Sequence, residues 1–141
     1  MFNRSVKHER KGCPVTSSEL VEAFWDQVWN AHDPDAVERF VIPDFVITNA
    51  GHDIVGRDAF REWIRAFLQQ LPDLRLDVIE TFENADGTRV ASRWRIHGTN
   101  QGYLPTAELG VPITFSGTAV WEVRDGKLAH NWVERSAAEV A

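Results

Sequence analysis

TRVASRWRIHGTNQG, residues 88–102, is long enough to form the middle strand of a β-sheet, and it follows the expected hairpin turn Asp86-Gly87. Its side chains alternate between two faces. A row of cations usually marks a solvated outer face, but Trp94 and Ile96 are also poorly suited to water, so the alternation leaves open which face is covered. One face carries Val90, Ser92, Trp94 and Ile96, and the other carries Ala91, Arg93, Arg95 and His97.

The composition indicates one globular domain with an aromatic interior. The chain has 141 residues, a net charge of -6, six Trp and eight Phe, which suit a core or a pocket for a flat hydrophobic ligand. The negative charge argues against a nucleic-acid partner. The single Cys13 excludes an intrachain disulfide and most zinc sites. No apolar run is long enough for a membrane span or a signal peptide, so we expect a soluble, cytoplasmic protein without a membrane partner.

The first third of the chain reads as helical. Residues 1–15 look like a flexible N-terminal arm, and residues 16–141 like a single domain. Thr16-Ser17-Ser18-Glu19 fits a capping box that starts a helix to about His32. Asp33-Pro34 is a second start signal, for a short helix that runs through Phe40 and is ended by Pro43.

The rest of the chain adds one helix and a series of strands. Residues 45–49 read as a strand, 51–53 as a turn or bulge, and 56–58 as the start of a third helix that Pro72 stops. Strands are expected over 74–82, 88–102, 113–124 and 127–135, with a longer loop over 102–111. Three helices against one curved, mainly antiparallel sheet make an α+β fold that encloses a cone, and the mouth of the cone is the expected ligand site.

Several phrases, in their order and spacing, resemble the SnoaL-like polyketide cyclases of the nuclear transport factor 2-like superfamily. They are VWNAHDPDAVERF, PDFVITN, VGRDAF, LPDLRLDV, SRWRIHGTNQG and RDGKLAHNW, within residues 21–136. The resemblance implies a cone-shaped α+β barrel that is oligomeric and needs no cofactor. It also implies work on aromatic polyketides, since founding members of the family close a ring by intramolecular aldol condensation.

The chain departs from that family at three positions. The family has His where this chain has Thr48 and Asn100, and it has its acid/base Asp where this chain has Ser136. A serine has no pKa that would let it replace a carboxylate as a proton carrier. We therefore expect a diverged acid/base enzyme, acting by cyclisation, isomerisation or hydroxylation, or a binding module that has lost catalysis.

The limonene-type epoxide hydrolases of the same superfamily offer a second comparison. Their catalytic positions correspond to Glu134, Arg93, Arg95 and Asn49, and three of the four residue types are similar. This favours a cavity-facing Arg93 that holds Glu134 through paired hydrogen bonds. The alternative is a plain cross-strand ion pair on the outer face of the sheet.

These considerations define the predicted site, whose ligand is a hydrophobic small molecule. An inward Arg93 would turn Trp94 outward, which predicts a homodimer through the outer sheet face. Two His and a carboxylate nowhere reach metal-ligand spacing on one element, so no metal is expected. The candidate catalytic residues are Glu134, Arg93, Asn49 and His97, and the candidate substrate-binding residues are Trp132, Arg95, His130, Ser136, Ile47, Phe24 and Tyr103.

Overall fold

The structure is a computed structural model that describes residues 15–141. The predicted N-terminal arm, residues 1–15, falls outside this range except for its last residue. Two α-helices, α1 (Ser17–Phe24) and α2 (Arg57–Gln70), flank a π-helical segment (Trp25–Asn30) and a 3-10 helix (Pro34–Arg39). None of the helices among residues 15–141 is long and apolar enough to cross a membrane.

The capping box at the start of α1 is confirmed. Thr16 Oγ1 accepts a hydrogen bond from the Glu19 amide at 3.1 Å, and the Thr16 amide donates to Glu19 Oε1 at 3.0 Å. The helix runs on from α1 as a wider π-helical segment. That segment is tied to the sheet by Asn30, whose amide donates to the Leu76 carbonyl and accepts from the Leu76 N–H.

Seven strands form one sheet in the order β2-β1-β6-β5-β4-β3, with β7 paired to β5. All pairings are antiparallel except that of β1 with β6. The sheet is curved and unclosed, and the helices pack on its concave side, so the predicted α+β fold is confirmed. The strands are β1 (Val41–Asn49), β2 (His52–Val55), β3 (Arg75–Glu83), β4 (Arg89–Thr99), β5 (Pro112–Arg124), β6 (Lys127–Arg135) and β7 (Glu139–Val140).

Some predicted boundaries were wrong. Pro43 lies inside β1, whose pairing with β6 is interrupted between Val41 and Val46, rather than ending a helix. The turn before β2 is made by Ala50 and Gly51, both at positive φ, so residue 52 already belongs to a strand. The β5–β6 hairpin turn is confirmed: the two residues after Arg124 have φ angles of 53° and 77°, as a two-residue turn of type I′ requires.

The central strand β4 settles which face is covered. Its even-numbered residues from Val90 to Ile96 are buried beneath the helices, and Trp94 is only 3% exposed. Arg93, Arg95 and His97 lie on the outer, solvent-facing side. The prediction of an inward Arg93 was therefore wrong. Burying this row would desolvate three potential cations, whereas burying Trp94 and Ile96 removes a large apolar area from water.

Candidate functional site

An aromatic cavity lies between the concave face of the sheet and the helices; its enclosed space is about 30 Å³, within a region of about 360 Å³ that includes open solvent. Trp25 and Trp29 reach it from the π-helical segment, and Phe60, Trp63 and Phe67 from α2. The sheet contributes Ile47, Leu76, Trp94, Ile96, Asn131, Val133 and Arg135. These walls are mostly aromatic and aliphatic, and the polar groups among them are few.

Arg135 is the charged residue in this lining. It ends β6, and its guanidinium lies 5.9 Å from the Trp63 ring centre and 5.3 Å from that of Phe67. Its Nη2 donates to Asn49 Oδ1 at 2.9 Å. Among residues 15–141 it has no carboxylate within ion-pair distance. The rings stabilise the cation but leave its charge uncompensated, so the site is suited to an anionic or strongly polarised oxygen.

Two further polar groups line the cavity without a hydrogen-bond partner among residues 15–141. Asn131 is 3% exposed and its Oδ1 makes no hydrogen bond. Trp94 Nε1 is likewise buried and unpaired, whereas Trp25 Nε1 donates to Ser92 Oγ at 3.0 Å. Leaving a buried donor or acceptor unsatisfied costs free energy in the unliganded protein.

The loop between β4 and β5 is built around Asn100, which is fully buried. Its Nδ2 donates to three loop carbonyls and its Oδ1 accepts from the Leu104 amide at 2.9 Å. The loop places Tyr103 against Phe115, with the rings stacked 4.8 Å apart, and against Phe67. Burial raises the pKa of the Tyr103 phenol, and the charge of Arg135 offsets part of that rise.

Arg93 and Glu134, the central pair of the predicted site, both lie on the outer face. Arg93 Nε donates to Glu80 Oε2 at 2.6 Å, on the neighbouring strand, and does not hold Glu134. Glu134 is exposed and is paired with Thr118 on the neighbouring strand β5. The predicted position of this pair was therefore wrong. A strand alternates every residue, so an inward Arg135 forces Glu134 outward.

The other predicted residues of the outer face are also away from the cavity. His97 Nε2 is 3.3 Å from Asp77 Oδ2 in an exposed pair, and Arg95 donates to Thr114. Ser136 Oγ accepts from the Ser116 amide at 3.0 Å. These three positions were expected inside the cone and are not, because they share the faces of Arg93 and Glu134.

His130 and Trp132 form a separate outer cluster. Their rings stack 3.9 Å apart, and His130 Nε2 lies 2.8 Å from Thr48 Oγ1, which donates to Asp53 at 2.6 Å. Burial lowers the pKa of His130, while the carboxylates of Asp53 and Glu122 oppose that change. Neither ring lines the cavity, so the prediction that they line the substrate pocket was wrong.

The other four predicted residues differ in where the structure places them. Ile47 lines the cavity, and Asn49 is on the same inner face of β1, in contact with Arg135, as the alternation predicted. Phe24 is fully buried in the core, stacked on Phe60 at 6.1 Å. It does not line the cavity, so its predicted place in the substrate pocket was wrong. Tyr103 lies beside the cavity through its contact with Phe67, and its substrate-binding role stays a prediction.

The sequence reasoning missed Arg135, Asn131 and Trp94 as site residues. The signal is present in β6, where Asn131, Val133 and Arg135 alternate with His130, Trp132 and Glu134. Among residues 15–141, no group of three or more His, Cys, Asp or Glu residues is placed to hold a metal ion.

Comparison with known proteins gives the family. A family model described as a SnoaL-like domain matches residues 21–131. This chain belongs to the SnoaL-like domain family. The resemblance found in the sequence is thereby confirmed. No curated protein matches this SnoaL-like domain in sequence at a significant level.

Solved structures share the fold. A candidate SnoaL-like polyketide cyclase from Jannaschia sp. is 17% identical with a TM-score of 0.77, and the match covers 96% of this chain and 92% of that one. A SnoaL-like polyketide cyclase from Agrobacterium tumefaciens is 19% identical with a TM-score of 0.75, covering 86% and 92%. A candidate polyketide cyclase from Pseudomonas putida is 25% identical with a TM-score of 0.70, covering 85% and 91%.

Proposed function

We propose that this SnoaL-like domain is a cofactor-independent enzyme of polyketide or related secondary metabolism. It binds a hydrophobic cyclic ketone in the aromatic cavity and stabilises the enolate of that ketone with Arg135. The observation that carries the proposal is the cation of Arg135 inside an aromatic cavity, without a carboxylate partner among the described residues.

Enolate stabilisation is the step that aldol cyclisation and carbonyl isomerisation have in common. When a C–H bond next to a carbonyl breaks, its electron pair moves onto the carbonyl oxygen, which becomes negatively charged. A guanidinium that donates to Asn49 and is flanked by rings is already oriented before the reaction, so it stabilises that charge with little reorganisation. Trp94 Nε1 supplies a second unpaired donor to the same cavity.

The proton must leave to a water molecule, a buffer base or a second oxygen of the substrate. None of the described residues that line the cavity is a carboxylate or an imidazole. The family membership and the polyketide cyclases among the similar structures support a reaction of the cyclase type. The epoxide-hydrolase relay is not supported, because Arg93 and Glu134 lie on the outer face.

A second candidate function is a binding module that retains the cavity without catalysis. The lack of a proton acceptor among the described lining residues favours it. In that case Arg135 recognises an anionic ligand and no bond is broken.

Hydrogen–deuterium exchange at the carbon next to a ketone tests the proposal. The probe is 2-tetralone, a bicyclic ketone, incubated with the protein in D2O and followed by NMR. We expect exchange above the buffer rate, rising with buffer-base concentration at fixed pH, because the described lining supplies no base. Arg135→Met, which keeps the bulk and removes the charge, should lower the protein-dependent rate by about 10²-fold. Arg95→Met, on the outer face, is the matched control and should keep the rate.

The outcomes separate the two candidates. Exchange at the buffer rate together with quenching of cavity tryptophan fluorescence by 2-tetralone indicates the binding module. Equal protein-dependent rates for Arg135→Met and Arg95→Met contradict the role assigned to Arg135. Absence of both exchange and quenching contradicts the use of the cavity for cyclic ketones.

We also propose that two copies pair through the outer sheet face. The expected outward Trp94 does not support a dimer, because Trp94 is buried beneath the helices. A different apolar row crosses that face, in which Phe82, Ala91, Val120 and Trp132 are consecutive neighbours on β3, β4, β5 and β6. Phe82 is 56% exposed, and Val120 and Trp132 are exposed by more than a third. Apolar residues aligned in this way favour burial against a partner, and the row is self-complementary in a two-fold dimer.

A further inference from the structure

Asn131 occupies the deep end of the aromatic cavity. It lies four residues before Arg135 on the same face of β6, so their Cα atoms are about 13 Å apart at roughly 3.3 Å per residue. Asn131 is 3% exposed, whereas Arg135 is partly exposed. On β1 its paired neighbour is Ile47, and on β5 it is Trp121. The cavity is therefore polar at two places along β6, one deep and neutral, the other nearer to solvent and cationic.

The side-chain amide of Asn131 does not hold any segment of the described fold in place. Its side chain makes no hydrogen bond to another described residue, and its Oδ1 is inaccessible and unpaired. Asn30 and Asn100, by contrast, each bind several backbone groups and hold segments together. Trp121 Nε1 is also buried without a partner among the described residues, but it does not line the cavity and takes no part in the inference. A buried acceptor without a donor is destabilising unless something else supplies the donor.

We infer that Asn131 is a specificity residue that accepts a hydrogen bond from a hydroxyl group on the ligand. The inference rests on the proposed function, because Arg135 holds the anionic end of the same ligand. The ligand class is therefore a hydrophobic ring system with a neutral hydroxyl at one end and an enolate or carboxylate oxygen at the other. A ligand with a carbonyl or ether in place of the hydroxyl offers Asn131 Oδ1 no proton and leaves it unpaired.

Three naphthalene carboxylates test the inference: 2-naphthoate, 6-hydroxy-2-naphthoate and 6-methoxy-2-naphthoate. Each presents a carboxylate to Arg135, and they differ only at the opposite end of the ring. Binding to the folded protein is measured by quenching of tryptophan fluorescence and by calorimetry. We expect the hydroxy compound to bind about tenfold more tightly than 2-naphthoate, which corresponds to about 1.4 kcal/mol. The methoxy compound, whose ether oxygen can only accept from Asn131 Nδ2, should gain less than the hydroxy compound.

Asn131→Leu is the matched variant, because leucine has the same branching and the same number of side-chain heavy atoms as asparagine and no polar atom. It should abolish the tenfold preference while leaving the affinity for 2-naphthoate nearly unchanged. Trp132→Phe, on the outer face, serves as the control and should keep the preference.

The possible failures are distinguishable. If 2-naphthoate binds and Arg135→Met weakens it, but the hydroxyl adds no affinity, a bound water satisfies Asn131 and the inference is wrong while the anion site stands. A preference that survives Asn131→Leu, or an equal gain from the methoxy group, also overturns it. If no compound binds in a manner that depends on Arg135, the anion site of the proposed function fails and the inference fails with it.

Discussion

Gly117→Ala is expected to be among the most damaging single-methyl additions to the sheet. Gly117 lies on β5 between Trp94 of β4 and Arg135 of β6, on the inner face. A Cβ atom placed on it would lie 2.4 Å from Trp94 Cη2, 2.6 Å from Trp94 Cζ2 and 2.9 Å from the Glu134 carbonyl oxygen. The indole therefore uses the space that a side chain at position 117 would fill.

The loss of stability in Gly117→Ala is large because the atoms around position 117 have little room to move away. The Trp94 ring is 3% exposed and packs on the Trp25 ring at 5.8 Å, and the third contact is with backbone. Overpacking of a closed core costs about 1–3 kcal/mol, and rigid neighbours place this case near 3. Gly98→Ala is the milder comparison, because its shortest contact, 2.9 Å, is with the terminal Leu71 Cδ2 of a flexible side chain.

Urea unfolding at equilibrium measures the effect. We expect Gly117→Ala to lower the free energy of unfolding by about 2–3 kcal/mol. The double variant Gly117→Ala, Trp94→Phe should recover at least about 1 kcal/mol relative to the sum of the single changes, because phenylalanine lacks the colliding part of the indole. A loss below about 0.5 kcal/mol for Gly117→Ala, or strict additivity in the double variant, would refute the reasoning about this contact.

Three further predictions address the outer face and the loop. Arg93→Ala should cost less than about 1 kcal/mol in urea unfolding, because its pair with Glu80 is about half exposed on both sides, and a loss of 3 kcal/mol would contradict that assignment. Asn100→Ala should cost about 2 kcal/mol or more and speed hydrogen exchange of the Leu104 amide, whereas unchanged exchange would show that the loop holds without it. Trp132→Glu should convert a dimer at micromolar concentration into a folded monomer by light scattering; a wild-type monomer would refute the pairing proposal.

The sequence determined the elements well because their signals are local. Capping at Thr16, the apolar stripe of α2 and the two-residue turn before β6 each depend on residues within a few positions of one another. It did not reveal that β1 pairs in parallel with β6, because that contact joins strands about 80 residues apart. The short strand β7 also went unrecognised, since two residues carry no periodic signal.

The same contrast between local signals and tertiary contacts applies to the candidate site. Alternation in β4 and β6 grouped the side chains into faces correctly, but a period of two is symmetric and does not say which face is inward. Only the packed helices decide that, by covering Trp94 and leaving Arg93 in water. Because neighbouring residues of a strand face opposite sides, covering the face of Trp94 also places Arg135 rather than Glu134 in the cavity. The sequence alone determined which residues share a face of a strand, whereas tertiary packing decided which face meets a ligand, because the free energy of burying apolar area is gained only once a second layer is in place.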